Sequence, residues 1–527
     1  MRWHTQKKKK KRRRKWLKIV LLLAVAILGV VGGGVVFVFR PYSFGTPPQI
    51  PQGWGWKYVQ KFKGASATAH SLNVEAPPQN PHLAATASSN MHVDSYASDV
   101  HLKGGPLGRN VTVQTYAHGA FGGECACVTF DSRGNIVAVC ATFKEFSVLL
   151  MQPHTLETIA RLDLPPRAST KSLSLRKIMS DTSGGAYFFL DDKDRAVLVN
   201  ANQELVVIGQ EWRGETPSLR IERTYSLKGT LRDSTSDDDV VTSVLPDWQG
   251  RYWFVSRGGL VGVLDPNTSG VCVLRLAGEE IQNSFAVDEN AIYVVSDRAL
   301  YGVGARPGDM TPVVLWREEY EVAARDKLGA ITRGSGTTPT LLGDKYVAIA
   351  DNADPKIHIL VYDRRAEITG ERLVGKVAVF EAGASATENT LIGIANSLIV
   401  ENNYGYDLFT NMMFGRTGAG GVSRIDFSEE EGCSIKWYNP IISQTTVPKV
   451  SLETGLIYTY TKDPSVGKGI DAYYLSALDF ETGQTVFQVL VGTGVSFDNN
   501  WAPITIGPDR SAYVGVLRGL VKVSDGQ

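Results

Sequence analysis

The feature that most constrains this chain is a pattern repeated eight times between residues 124 and 527. Each copy is a short alternating run, a turn rich in Asp or Gly, and a four-residue apolar or aromatic strand core. The cores are Ile136–Val139, Ala186–Phe189, Tyr252–Val255, Ile292–Val295, Tyr346–Ile349, Leu398–Glu401, Ile457–Tyr460 and Ala512–Gly515, spaced 50, 66, 40, 54, 52, 59 and 55 residues apart. A period near fifty, with short strands and no helical periodicity, points to a β-propeller of four-stranded blades. The expected fold is therefore all-β, an eight-bladed propeller over residues 109–527. The eighth copy has only three strands before residue 527. "NVTVQTYA", Asn110 to Ala117, alternates suitably and is expected to close the ring beside that last blade.

The region before the repeats has a different character. Residues 1–40 hold 12 basic side chains and no acid, including an unbroken run from Lys7 to Lys15. Removing those 12 from the chain's 55 basic residues leaves 43 against 54 acidic ones, so the remainder is net acidic. A basic run invites a nucleic-acid reading, but Ile19 to Phe39 follows, 21 residues without a charge. A helix of that length spans about 31 Å, the thickness of a bilayer's hydrocarbon core. The expectation is a basic cytoplasmic tail over 1–18, a transmembrane helix over 19–39, and a propeller outside the cytoplasm. The partner is then the membrane and its anionic lipid rather than nucleic acid. Residues 40–108, rich in Pro, Gly, Ala, Ser and Asn, read as a spacer.

"ALDFETGQTVF", Ala477 to Phe487, follows a strand–turn–strand pattern that resembles the quinoprotein-like (PQQ-like repeat) β-propellers. "TTPTLLGDKYVAIAD" and "NWAPITIGPDRSAYVG" resemble the inner hairpins of that family. The resemblance covers roughly 109–527 and implies the fold. It also implies blade-docking tryptophans, for which Trp316 and Trp437 are the candidates, and an adjacent Cys-Cys pair beneath a quinone. No two cysteines are adjacent here, so PQQ is not expected.

Motif chemistry is sparse. There is no G-x-S-x-G, H-E-x-x-H or C-x-x-C, and no phosphate loop. His118, His154 and His358, the histidines of the repeat region, fall in unrelated contexts. Cys125, Cys127 and Cys140 flank one hairpin. If Ser132 faces Asn135, position 127 faces 140 and a Cys127–Cys140 disulfide is expected; a wider turn puts Cys125 there instead.

The start of an inner strand and the end of the next strand lie at the same face of a propeller. Acids and amides recur at those places: Glu388 and Asn389, Glu401 and Asn402, Asp351 and Asn352, Asn499 and Asn500. Carboxylates with amide oxygens are what Ca²⁺ takes, so these eight residues are the candidate metal set. Two function classes follow. One is a propeller that binds a small polar ligand or divalent cation at this face, with metal-dependent catalysis as its extension. The other is a non-catalytic scaffold for proteins of the cell envelope.

Overall fold

A computed structural model describes residues 48–526, apart from 120–121, 143–144, 168–180, 182, 232–238, 307 and 467–469. The expected basic tail and transmembrane helix lie outside the described residues. Among the described residues no helix is long and apolar enough to cross a membrane.

Eight antiparallel sheets form the blades of an all-β, eight-bladed propeller. Blade 1, for example, is Glu124–Phe130, Ile136–Ala141, Phe146–Met151 and Thr158–Leu164, ordered from the axis outwards. Each blade is sandwiched between two others, so its inner strands are covered on both faces. That is why they read as continuous apolar runs: Tyr252–Ser256 and Leu260–Leu264 of blade 3 are buried throughout. Fourth strands mix exposed, half-buried and buried positions, as Leu373–Val379 does, because they form the outer edge that meets water. Fully burying each such Val, Leu, Ile or Phe contributes about 1.5–3 kcal/mol.

Inner hairpins of blades 1 to 4 close on an aspartate. Asp131 accepts from the backbone N–H groups of Arg133 and Asn135, and Asp247 from those of Gln249 and Arg251. In blade 2 the same role falls to Asp191, which accepts from Lys193 and Arg195. This corrects the phase of the second copy: Ala186–Phe189 leads into the innermost strand, Phe189–Leu190, and the second strand is Ala196–Val199. "DTSGG" and "DDKDR" both have turn chemistry, and only the second lies between paired strands.

The ring closes as expected. Thr112–Ala117 pairs antiparallel with Gly519–Ser524, Tyr116 opposite Leu520, and completes blade 8. Trp316 and Trp437 lie on fourth strands and donate to the next blade, to Arg364 O at 3.1 Å and Phe480 O at 2.9 Å. Gly483, in the turn of "ALDFETG", has φ 70°, and a Cβ there would fall 2.4 Å from the Trp437 ring. Both facts require glycine.

The disulfide is Cys125–Cys140, with Cys127 a buried free thiol, so the Cys127–Cys140 pairing is corrected. Two features account for it. Phe130 faces Ile136, so the turn is one residue wider than a Ser132–Asn135 pairing gives. A bulge between Glu124 and Cys127 shifts the register once more in the same direction, as the wider-turn alternative with Cys125 requires. Cys127 therefore faces Val139, leaving Cys125 beside Cys140.

Residues 48–108 have little regular structure but are not a free tether. Phe62–Gly64 adds an outer strand to blade 7, and Val100–His101 pairs with its innermost strand. Between these, residues 80–101 form a belt at the axis. Ser88 O accepts from Phe130 of blade 1, Ser89 O from Leu190 of blade 2, and Ser95 O from Val287 of blade 4. Tyr96 O accepts from Leu341, Ser98 O from Gly393 and Asp99 O from Val450, in blades 5 to 7. Ile506 of blade 8 donates to His101 Nε2, and Asn80 Nδ2 donates to Pro246 O of blade 3. Every innermost strand is thus held by one short segment that stops the channel at one end.

Candidate ligand site at the centre of the ring

Above the belt, at the face where inner strands begin, lies a cavity of about 160 Å³. Met91 and His92 of the belt line it. Its walls are mostly apolar, from Ala126, Val139, Phe146, Tyr187, Val447 and Trp501. Into these walls are set the acids Glu124 and Glu388 and the amides Asn389 and Asn500, with Arg167, Asp181 and Asn283 also on the lining. A single water needs about 10–15 Å³ of such volume, so the space admits a small organic molecule.

The acids occupy matching places in their repeats. Glu388 stands six residues before Ile394, the end of its inner strand, as Glu124 does before Phe130 and Asn500 before Ile506. Glu388 Oε1 accepts from Ile331 N at 2.7 Å, while Oε2 has no hydrogen-bond partner among the described residues. Asn389 Nδ2 donates to Thr446 O at 3.0 Å, and its Oδ1 is likewise unpartnered. Glu124 Oε1 accepts from Asn500 N at 3.2 Å. Burial, joined at Glu124 by the nearby Asp498 carboxylate, pushes both acids up to about 8. Neither shift is offset by a basic side chain among the described residues; only backbone N–H groups oppose them. Both acids are therefore largely protonated at neutral pH.

The floor is polar and internally bonded, with Asp99 Oδ2 alone lacking a partner among the groups described next. His92 Nδ1 lies 3.3 Å from Asp99 Oδ1, and its Nε2 lies 3.2 Å from Thr338 Oγ1. Asp99 is paired with the fully buried Lys449, whose Nζ also donates to Met91 O at 3.0 Å. Burial lowers the His92 pKa, so the ring is neutral where it meets the cavity.

Of the eight expected metal ligands, Glu388, Asn389 and Asn500 come together around this cavity. Glu401 does not line it; it is buried against Ser443, and burial raises its carboxyl well above the usual range. Asn352, Asn402 and Asn499 bind backbone: Asn352 to Gly334 O, Asn402 to Ala384 O and Gly420 O, Asn499 to Ala502 O and Gly515 O. Those amides fasten loops, which explains their recurrence without a ligand. Asp351 accepts from the backbone N and Nδ1 of His358 at 2.6 and 2.8 Å. With Glu321 these two form a separate group whose ligand atoms lie within 4.8 Å of one another. Sequence reasoning missed Glu124, His92, Tyr187 and Trp501. Counting back from the strand end would have found Glu124; no signal marked His92, which lies in the apparent spacer.

The fold defines the class of this protein as an eight-bladed β-propeller. No family model matches the chain. It is 26% identical over 338 residues to an uncharacterized protein of Archaeoglobus fulgidus, a match taking in 56% of this chain. The match spans 63% of that relative's length. Among solved structures, a europium-containing methanol dehydrogenase superposes with a TM-score of 0.51 at 11% identity, covering 81% of this chain and 89% of that one. At that identity the likeness shows the fold alone.

Proposed function

We propose that the protein is a membrane-anchored, extracytoplasmic propeller whose central cavity binds a small ligand carrying positive charge, an amine on an apolar body. The observation that carries this reading is that Glu124 and Glu388 are buried with no ion pair among the described residues, the one guanidinium on the lining, Arg167, interacting with Asp181. A cation entering beside Glu124 and Glu388 would replace their protons and receive both charges in a low-dielectric site. Trp501 and Tyr187 offer ring faces and apolar area to the rest of the molecule, while Arg167 already covers one face of Phe146. The uncharged run over 19–39 and its basic flank support the anchor. The Cys125–Cys140 disulfide agrees with an oxidising compartment.

Ca²⁺ is a second reading, favoured by the unpartnered oxygens Glu388 Oε2 and Asn389 Oδ1. Asn500 and Glu124 would complete its oxygen set, with water. PQQ does not suit these residues: a polycarboxylate would meet three acids against one guanidinium, Arg167, and Cys125 and Cys140 bond across strands rather than as neighbours in sequence.

Thermal unfolding with benzylamine, with CaCl2 and with chelator, on the wild type, Glu388→Gln and Glu124→Gln, tests the assignment. A bound cation raises the melting temperature by mass action, and each variant should lose most of that rise. If neither cation moves the wild type, the cavity is not a cation site and the scaffold reading replaces it.

A further inference from the structure

Apart from Leu102 beside the belt, the exposed large apolar side chains among the described residues have two distributions. Ile221, Val273, Val314, Leu315, Leu373, Ile435 and Tyr438 lie on fourth strands, scattered around the rim. A second set gathers at the face that carries the cavity mouth. Trp54 is 64% exposed and Tyr58 88%; Phe409 and Phe414, on the helix Leu408–Phe414, are 54% and 68% exposed. Leu328 and Val322 join them from the loop before blade 5.

The members of this second set are neighbours. Gly55 packs on Ile470, and Gly415, which caps the helix, packs on Asp471. Trp54 and Phe414 thus flank one short loop of blade 7. Gly405 N donates to Leu328 O at 3.0 Å, joining the other side. Tyr406, just before the helix, sets its ring 5.3 Å from that of Trp501 in the cavity wall. Lys57, Lys61 and Arg416 stand exposed among these residues, and Lys61 Nζ sits 3.2 Å over the Trp56 ring.

We infer that this face docks on the surface of an anionic lipid bilayer and turns the cavity mouth toward the headgroups. The inference rests on the reading of residues 19–39 as a membrane anchor. Only eight residues, 40–47, lie between Phe39 and Pro48. Fully extended they reach at most about 30 Å, which holds Trp54 and Tyr58 close to the membrane. Amphipathic Trp and Tyr rings with basic neighbours are suited to the interfacial layer and its negative lipids. Serving one occupant, the bilayer, explains why the large apolar side chains on this face adjoin one another while those on the rim are dispersed.

The test uses the full chain in phosphatidylcholine–phosphatidylglycerol vesicles, with Cys272→Ser and Cys433→Ser to leave a single labelling site. An environment-sensitive fluorophore is placed at Thr410→Cys, beside Phe409, or at Asp192→Cys in the exposed turn at the opposite end of the ring. Flotation after alkaline wash reads the anchor, and quenching by lipid-borne nitroxide reads docking. Docking predicts flotation together with severalfold stronger quenching at 410 than at 192. Phe409→Ser with Phe414→Ser should reduce that quenching and leave flotation intact. Flotation with equal quenching at both sites overturns docking and spares the anchor. Failure to float overturns both.

Discussion

Glu388 shows at the scale of one residue how burial sets a chemical task. An unfolded glutamate titrates near 4.3, whereas this one is raised to about 8. Between those values the folded state holds a proton that the unfolded chain has lost, so stability falls as pH rises through the window and levels off above about 8. Glu388→Gln should flatten that part of the pH–stability curve, read from melting temperatures between pH 5 and 9; an unchanged slope would show that Glu388 is not the titrating group. The Lys449–Asp99 pair poses the opposite problem, because both charges are buried at the axis. Removing one partner leaves the other uncompensated, and Lys449→Met should cost about 3–5 kcal/mol. A melting temperature within a degree of wild type would place the pair's strength elsewhere, in the backbone contacts of the belt.

At the scale of elements, the hairpins were legible because their chemistry is local. Asp-led turns and apolar strand cores placed seven of the eight second strands, and the alternation of Asn110–Ala117 placed the closing strand. What failed was longer in range or finer in register. The belt over 80–101 has no periodicity, since its backbone follows eight strand ends in turn rather than pairing with one. A bulge of one residue exchanged Cys127 for Cys125. Peptide mapping of the protein without reductant should recover Cys125 linked to Cys140. Cys127 should react with alkylating agents only after unfolding; a Cys127–Cys140 peptide would contradict the register. Gly483→Ala should lower the melting temperature by forcing Trp437 off the turn, and Trp437→Leu in that background should return part of the loss if that contact is the cause.

At the scale of the molecule, two devices hold the ring: the strand shared between its two chain ends and the belt that touches all eight blades. A chain starting at residue 102 keeps the first and loses the second. It should melt well below one starting at residue 48, or aggregate, and equal melting would show that the blades need no central support. The belt also gives the molecule its asymmetry, with one end of the channel stopped and the other open into the cavity that Glu124 and Glu388 line. Part of the candidate site was legible, because Glu388 and Asn500 stand at one place in the repeat and Asn389 adjoins Glu388. The rest was not, because Asn352, Asn402 and Asn499 recur for a structural reason, and His92 comes from outside the repeats.

The central claim is that the cavity exchanges protons for a cation at Glu124 and Glu388, and calorimetry reads that exchange directly. Titrating benzylamine, and separately CaCl2, into the wild-type protein at pH 7 in two buffers of different ionisation enthalpy gives the number of protons released on binding. The account predicts net release for at least one of these cations, tighter binding as pH rises toward about 8, and loss of release in the Glu124→Gln, Glu388→Gln double variant. Binding of both cations without proton release, or release unchanged in the double variant, would contradict it.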